Sequence, residues 1–164
     1  MNNKKRIKLF IGMSVVIIIV FVIVFVVIKT KKVDKIMLGM TGDEAISILD
    51  KNNYNYSVNR IDKVIHVEDV SVNNVKGSLN ICLDSYNKIY WIAFSSDFSD
   101  LDKKIRKLNK YVDKMYGEPN HVYEGELNTD KYWEKDDMKI SFTYPTNEKS
   151  HINICLSWET ANNE

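Results

Sequence analysis

The chain is poor in the residues and spacings that mark catalytic and cofactor sites. Its six glycines are scattered, so they form no clustered loop of the kind whose amides cradle a phosphate. There is no G-x-S-x-G elbow, no H-E-x-x-H and no C-x-x-C. The three histidines, His66, His121 and His151, lie too far apart in sequence for local metal ligation. Basic charge is also missing where a nucleic-acid binder carries it. Residues 1–35 hold eight lysines and arginines against Asp34, net +7, which leaves 15 basic and 21 acidic residues, net −6, for residues 36–164. An acidic domain without a basic stripe has nothing to neutralise phosphates with, and nucleic acid is excluded as a partner. Acidic pairs do occur, Asp136-Asp137 and Glu124/Glu126, but a turn and a solvated strand account for them. The expectation is a non-enzyme with no catalytic residue, no metal and no cofactor.

One long segment lacks charge altogether. Residues 9–28 are twenty without a charged side chain, thirteen of them Val or Ile and three Phe (Phe10, Phe21, Phe25). A helix of that length spans roughly 30 Å, the thickness of a bilayer's hydrocarbon core. Its Val, Ile, Leu and Phe contribute roughly −5 to −10 kcal/mol of insertion free energy before Gly12 and Ser14 are counted. The run is too long for a signal peptide, has no small-residue cleavage pattern, and is followed by no lipidation cysteine. It predicts an uncleaved, single-pass transmembrane helix with the lipid bilayer as neighbour. Lys4, Lys5, Arg6 and Lys8 precede it, and Lys29, Lys31, Lys32 and Lys35 follow. The positive-inside rule is thus nearly balanced, and the α-amino group tips it towards an N-terminus in the cytoplasm. The expected organisation is a basic tail (1–8), the transmembrane helix (9–28), a polar stalk (29–35) and an extracytoplasmic globular domain (36–164) at the plasma membrane.

Within that domain the periodicities alternate between two kinds. Thr41 followed three residues later by Glu44 is a capping box, with Met40 at the staple position and Ala45, Ile46 and Leu49 as an apolar stripe. A helix over about 42–51 follows, ended by Asn52-Asn53. Strands are expected at 54–59, at 64–72 with a bend or bulge around Glu68, at 79–83 after Gly77, and at 89–94. In the last of these both faces are apolar, as in a central strand. A second helix is expected from a Ser99 cap to a left-handed Gly117 cap, with Leu101, Ile105, Leu108, Val112 and Met115 on one stripe. Its lysine-rich opposite face reads as solvated. Strands are then expected at 123–127, 131–135, 138–144 and 152–158, with Asp136-Asp137 as a turn. The fold class is α+β: an N-terminal transmembrane helix, then two helices packed on an antiparallel sheet of about 7–8 strands. The echo of Leu79-Asn-Ile-Cys-Leu-Asp84 in Ile152-Asn-Ile-Cys-Leu-Ser157 joins a third strand to a fourth, and reads as coincidence.

The opening Leu38-Gly39-Met40-Thr41-x-x-Glu44-Ala45 resembles the first helix of SmpA/OmlA-like and β-lactamase-inhibitor-like (BLIP-like) domains. The run from Leu108 through Tyr116-Gly117-Glu118-Pro119 to Tyr132-Trp133 and the 138–144 strand is similar to membrane-tethered relatives in Gram-positive bacteria. The resemblance implies a small extracytoplasmic α+β module that binds other proteins without catalysis. This chain departs from the lipoprotein members in having no lipidation cysteine, so no role in outer-membrane assembly is carried over.

Two groups of residues remain as candidates. Tyr132, Trp133, Tyr144 and Trp158 fall in the last three strands, where neighbouring strands can gather some of them on one sheet face. Tyr and Trp are common binding anchors, and core packing is the competing explanation. Tyr132 and Trp133 are adjacent and so point to opposite faces of a regular strand. Cys82 and Cys155 lie opposite their strands' large apolar residues, and outside the cell they permit one disulfide or two separate thiols. The functional expectation is a non-catalytic protein- or peptide-binding module with a partner at the cell surface. The alternatives are a structural or regulatory membrane subunit acting through its transmembrane helix, and a small-molecule sensor.

Overall fold

The computed structural model describes residues 35–97, 99–147 and 153–161. Two helices, α1 (Gly42–Lys51) and α2 (Leu101–Tyr116), each precede four strands. The first four are β1 (Tyr56–Asn59), β2 (Val64–Val72), β3 (Val75–Leu83) and β4 (Ile89–Ser96). The second four are β5 (His121–Glu124), β6 (Asn128–Lys135), β7 (Met138–Pro145) and β8 (Ile154–Thr160). All eight form one antiparallel sheet in the order β1-β2-β3-β4-β8-β7-β6-β5. Each quartet is a meander, and the two fourth strands pair in the middle, with Ala93 opposite Ser157 and Phe94 opposite Leu156. The repeated helix-and-four-strands order therefore has a spatial counterpart. The Leu79–Asp84 echo does not, because β3 and β8 hold different places in their meanders.

The expected fold class needs one correction. The run at 9–28, read as a transmembrane helix, lies outside the described residues, and among the described residues no helix is long and apolar enough to cross a membrane. The longer helix, α2, has 16 residues and carries six lysines and arginines. What stands is two helices on one eight-stranded antiparallel sheet, with no single-pass membrane element among them.

Local chemistry explains most element ends. Thr41 Oγ1 accepts from the Glu44 amide at 3.3 Å while the Glu44 carboxylate accepts from the Thr41 amide at 2.8 Å, a complete capping box. Asn73 and Asn74, both with positive φ, turn β2 into β3, the two-residue hairpin geometry that asparagine tolerates. Asp84 Oδ1 accepts from the amides of Tyr86 and Lys88, each at 2.8 Å, to close the β3–β4 turn. The bend expected near Glu68 is a register shift between Val67 and Val70.

Three local expectations fail for identifiable reasons. Ser99 does not cap α2. Its hydroxyl donates to Asp97 Oδ1 at 2.6 Å, and Asp100, in the left-handed region, takes the cap position without a side-chain bond. Gly117 does end the helix with φ of 82°, but at ψ of −156° it lies outside the left-handed helical region. Gly77 interrupts nothing. It sits inside β3, where a Cβ would collide with the Ser95 carbonyl and stand 2.7 Å from the Phe94 ring.

Strand alternation sorts the sheet into two faces. One carries Ile65, Val67, Leu79, Ile81, Phe94, Leu156, Phe142, Ile140 and Trp133, which form a single buried cluster with Ala45 and Leu49 of α1 and Leu108 and Val112 of α2. Both helices thus cover the same face. No described element covers the other.

Candidate functional site

The uncovered face is polar and continuous. Cross-strand pairing runs one row through all eight strands, from Ser57 to His66, Asn80 and Ala93 and on to Ser157, Ser141, Tyr132 and His121. His66 Nδ1 and Asn80 Oδ1 lie 2.7 Å apart, and the Ser141 and Ser157 hydroxyls are hydrogen-bonded at 2.7 Å. Small side chains occupy the centre and sink below their neighbours: Ala93 is 1% exposed and Ser157 7%. In the flanking rows Trp91 stands between Cys82 and Glu159, and Tyr123 lies opposite Asp130. Asp130 is itself held, accepting from Thr143 Oγ1 and Asn128 Nδ2, each at 2.6 Å. The centre is therefore small and hydrogen-bonded, with aromatic rings towards its margins.

The four aromatics expected to make a site do not come together. Tyr132 is on the uncovered face and 43% exposed. Trp133, its chain neighbour, is 2% exposed and donates its indole N–H to the Gly117 carbonyl at 2.9 Å. Tyr144 lies on the covered face, its ring 5.0 Å from that of Phe142. Trp158 also faces the helices, donating from Nε1 to the Tyr116 hydroxyl at 2.7 Å. Trp91 and Tyr123 were not among the residues expected here. Strand alternation alone puts Trp91 on one face with Ala93, but which face stays open depends on where both helices land.

Of the two alternatives for the cysteines, the geometry agrees with separate thiols. Cys82 and Cys155 share the uncovered face, and both are free thiols. Their strands are two spacings apart across β4, about 10 Å, and the β4 partners Trp91 and Ser95 are four residues apart, about 13 Å. A bridge needs Cα atoms within about 7 Å. Burial pushes both thiols up, so neither has the thiolate character of a nucleophile.

Other chemistry is sparse. His66 and His121 are separated by six strand spacings, about 29 Å, and His151 lies outside the described residues. Among the described residues no group of three or more potential ligands is placed to hold a metal ion.

The covered face has a feature of its own, a cleft of about 830 Å³. Leu79, Ile92 and Trp158 line it from the sheet, and Tyr111, Met115 and Tyr116 from α2. Ile36, Met37 and Leu38 line it from the chain entering α1, and Asp136, Asp137 and Met138 from the β6–β7 turn. The entering chain is held by Gly39 N–H donating to the Ile89 carbonyl and Ile89 N–H to the Met40 carbonyl, both at 2.7 Å. Burial raises the Tyr116 hydroxyl above its ordinary range, although the Trp158 bond opposes the shift. Met115, expected on the buried stripe of α2, is instead 51% exposed at this cleft.

An α+β protein with both helices on one face of an antiparallel sheet is the class that the geometry defines. No known protein family, no curated protein and no solved structure matches the chain.

Proposed function

We propose that this chain is a non-catalytic binding module whose uncovered sheet face takes a protein or peptide partner at the cell surface. The observation that carries the reading is the two-faced sheet: one face is filled by both helices, while the other presents a continuous polar row with Trp91, Tyr123 and Tyr132 around small central residues. Tyr and Trp supply large contact area at low entropic cost, and interface energy concentrates in such anchors. The resemblance of the 38–45 and 108–144 patterns to SmpA/OmlA-like and β-lactamase-inhibitor-like domains supports the same reading. The uncharged residues 9–28 support a place at the plasma membrane with the domain on its outer side.

The test is a photo-crosslinking pull-down from intact cells with a crosslinker at Ser57, at the edge of the polar row. A single discrete adduct is expected. Tyr123→Ala and Tyr132→Ala should each weaken the isolated complex by about 1–2 kcal/mol, roughly tenfold. An adduct that survives both substitutions unchanged would place the contact elsewhere. Protease added to whole cells should digest the domain, and full protection would reverse the proposed side of the membrane.

A further inference from the structure

Cover over the helix-side face is thinnest where β4 meets β8. On β4, Phe94 is fully buried whereas Ile92, two residues away on the same face, retains 7% exposure. On β8, Leu156 is fully buried while Trp158 is only partly so. Ile92 and Trp158 line the cleft there, and three methionines border it: Met37, 59% exposed, Met115, and the partly buried Met138. Methionine is unbranched and polarisable and adapts to side chains of different shape. The Tyr116 hydroxyl, partly buried here, accepts from Trp158, and its own proton is directed to no acceptor among the described residues. A peptide carbonyl matches that donor. The charges at the mouth are Lys135, Asp136 and Asp137. Both aspartates are exposed and make no ion pair among the described residues, and residues 36–164 as a whole carry a net −6. That field repels a phosphate headgroup and attracts a cation.

We propose that this cleft is a second binding site, which takes the apolar side chains of a peptide while an adjoining lysine, arginine or amino terminus meets Asp136 and Asp137. It lies on the helix side of the sheet and is independent of the face assigned above. The volume, about 830 Å³, falls within the range of pockets that enclose a compact ligand. The acidic mouth selects basic over acidic sequences more than it adds affinity.

The experiment uses the full-length chain in phosphatidylcholine nanodiscs, with empty nanodiscs as baseline. The probe is a fluorescein-labelled peptide of four leucines flanked at each end by two lysines, followed by anisotropy. Saturable binding is expected, with the glutamate-flanked peptide weaker. Asp136→Asn combined with Asp137→Asn should weaken the lysine peptide roughly fivefold, the scale of two exposed charge contacts. Met115→Lys alters an exposed rim residue and should weaken it roughly tenfold, the loss of one apolar contact. Tyr132→Ala, on the opposite face, should leave it unchanged, so failure of either site is read separately. Equal binding of the two peptides, wild-type binding by the variants, or no signal above empty nanodiscs overturns the proposal. So does sedimentation showing a dimer that Met115→Lys dissociates, which would make a second copy the occupant.

Discussion

At Gly77 the sheet leaves no room for a side chain. A methyl group there meets the Ser95 carbonyl and the Phe94 ring of the neighbouring strand, so Gly77→Ala should cost about 1–3 kcal/mol through overpacking. A lower urea midpoint at unchanged slope would show it. Trp133 combines volume with a bond to the Gly117 carbonyl, which ties β6 to the end of α2. Trp133→Phe should lose about 1–2 kcal/mol, part cavity and part unpaired carbonyl. The cysteines make a prediction of the opposite kind. Alkylation of the unreduced, denatured protein should add two equivalents by mass, because Cys82 and Cys155 are free and their strands keep them apart. The opposite facing of Tyr132 and Trp133 was legible from adjacency alone, since a strand sends neighbours to opposite sides. Which of the two is buried was not legible.

The two helices begin in different ways, and this decides how each responds to change. The capping box of α1 is local and complete, so Thr41→Ala should destabilise by about 1 kcal/mol. The start of α2 depends instead on Asp97, which accepts from the Ser99 amide and hydroxyl and from Lys104 Nζ. Chiefly through the Lys104 bond, then through Ser99, the Asp97 carboxyl is held well below the usual carboxylate range. A carboxyl lowered on folding contributes stability that is complete above its unfolded-state pKa, about 4, and is lost as pH falls towards the folded-state value. Asp97→Asn should therefore be less stable than wild type near neutral pH, and the gap should narrow as pH falls below about 4. Urea titrations at neutral and acid pH measure it, and a constant gap would remove Asp97 from this role. The Ser99 cap expected from sequence fails for the same reason: the serine hydroxyl is spent on Asp97, a choice that residue type alone does not reveal.

The molecule as a whole is organised by the β4–β8 seam, where two helix-and-meander units join edge to edge. Joining them there buries the two strands richest in apolar residues and puts the shortest strands, β1 and β5, at the exposed edges, where limited length limits edge pairing. It also sends both helices to one side. The uncovered face is a consequence of that arrangement. Tyr123 and Tyr132 are exposed, so their alanine variants should change stability by no more than about 0.5 kcal/mol. A loss of partner capture by such variants would then report binding and not folding.

The sequence by itself determined the kind and order of the elements, through a capping box, an amphipathic stripe, strict alternation and asparagine or aspartate turns that each act within a few residues. The caps of α2 and the bounds of β3, β5 and β6 differ from those expected. It also marked residues 9–28 as uncharged, a run outside the described residues. Only the tertiary structure decided which strands are neighbours, because pairing β4 with β8 joins residues about sixty positions apart, and alternation says nothing about register between distant strands. That pairing separated Cys82 from Cys155, and the side taken by both helices covered Trp133, Tyr144 and Trp158 while it left Tyr132 and Trp91 on the open face. Whether an aromatic is an anchor or part of the core is settled by what covers it, and the cover is a property of the whole fold.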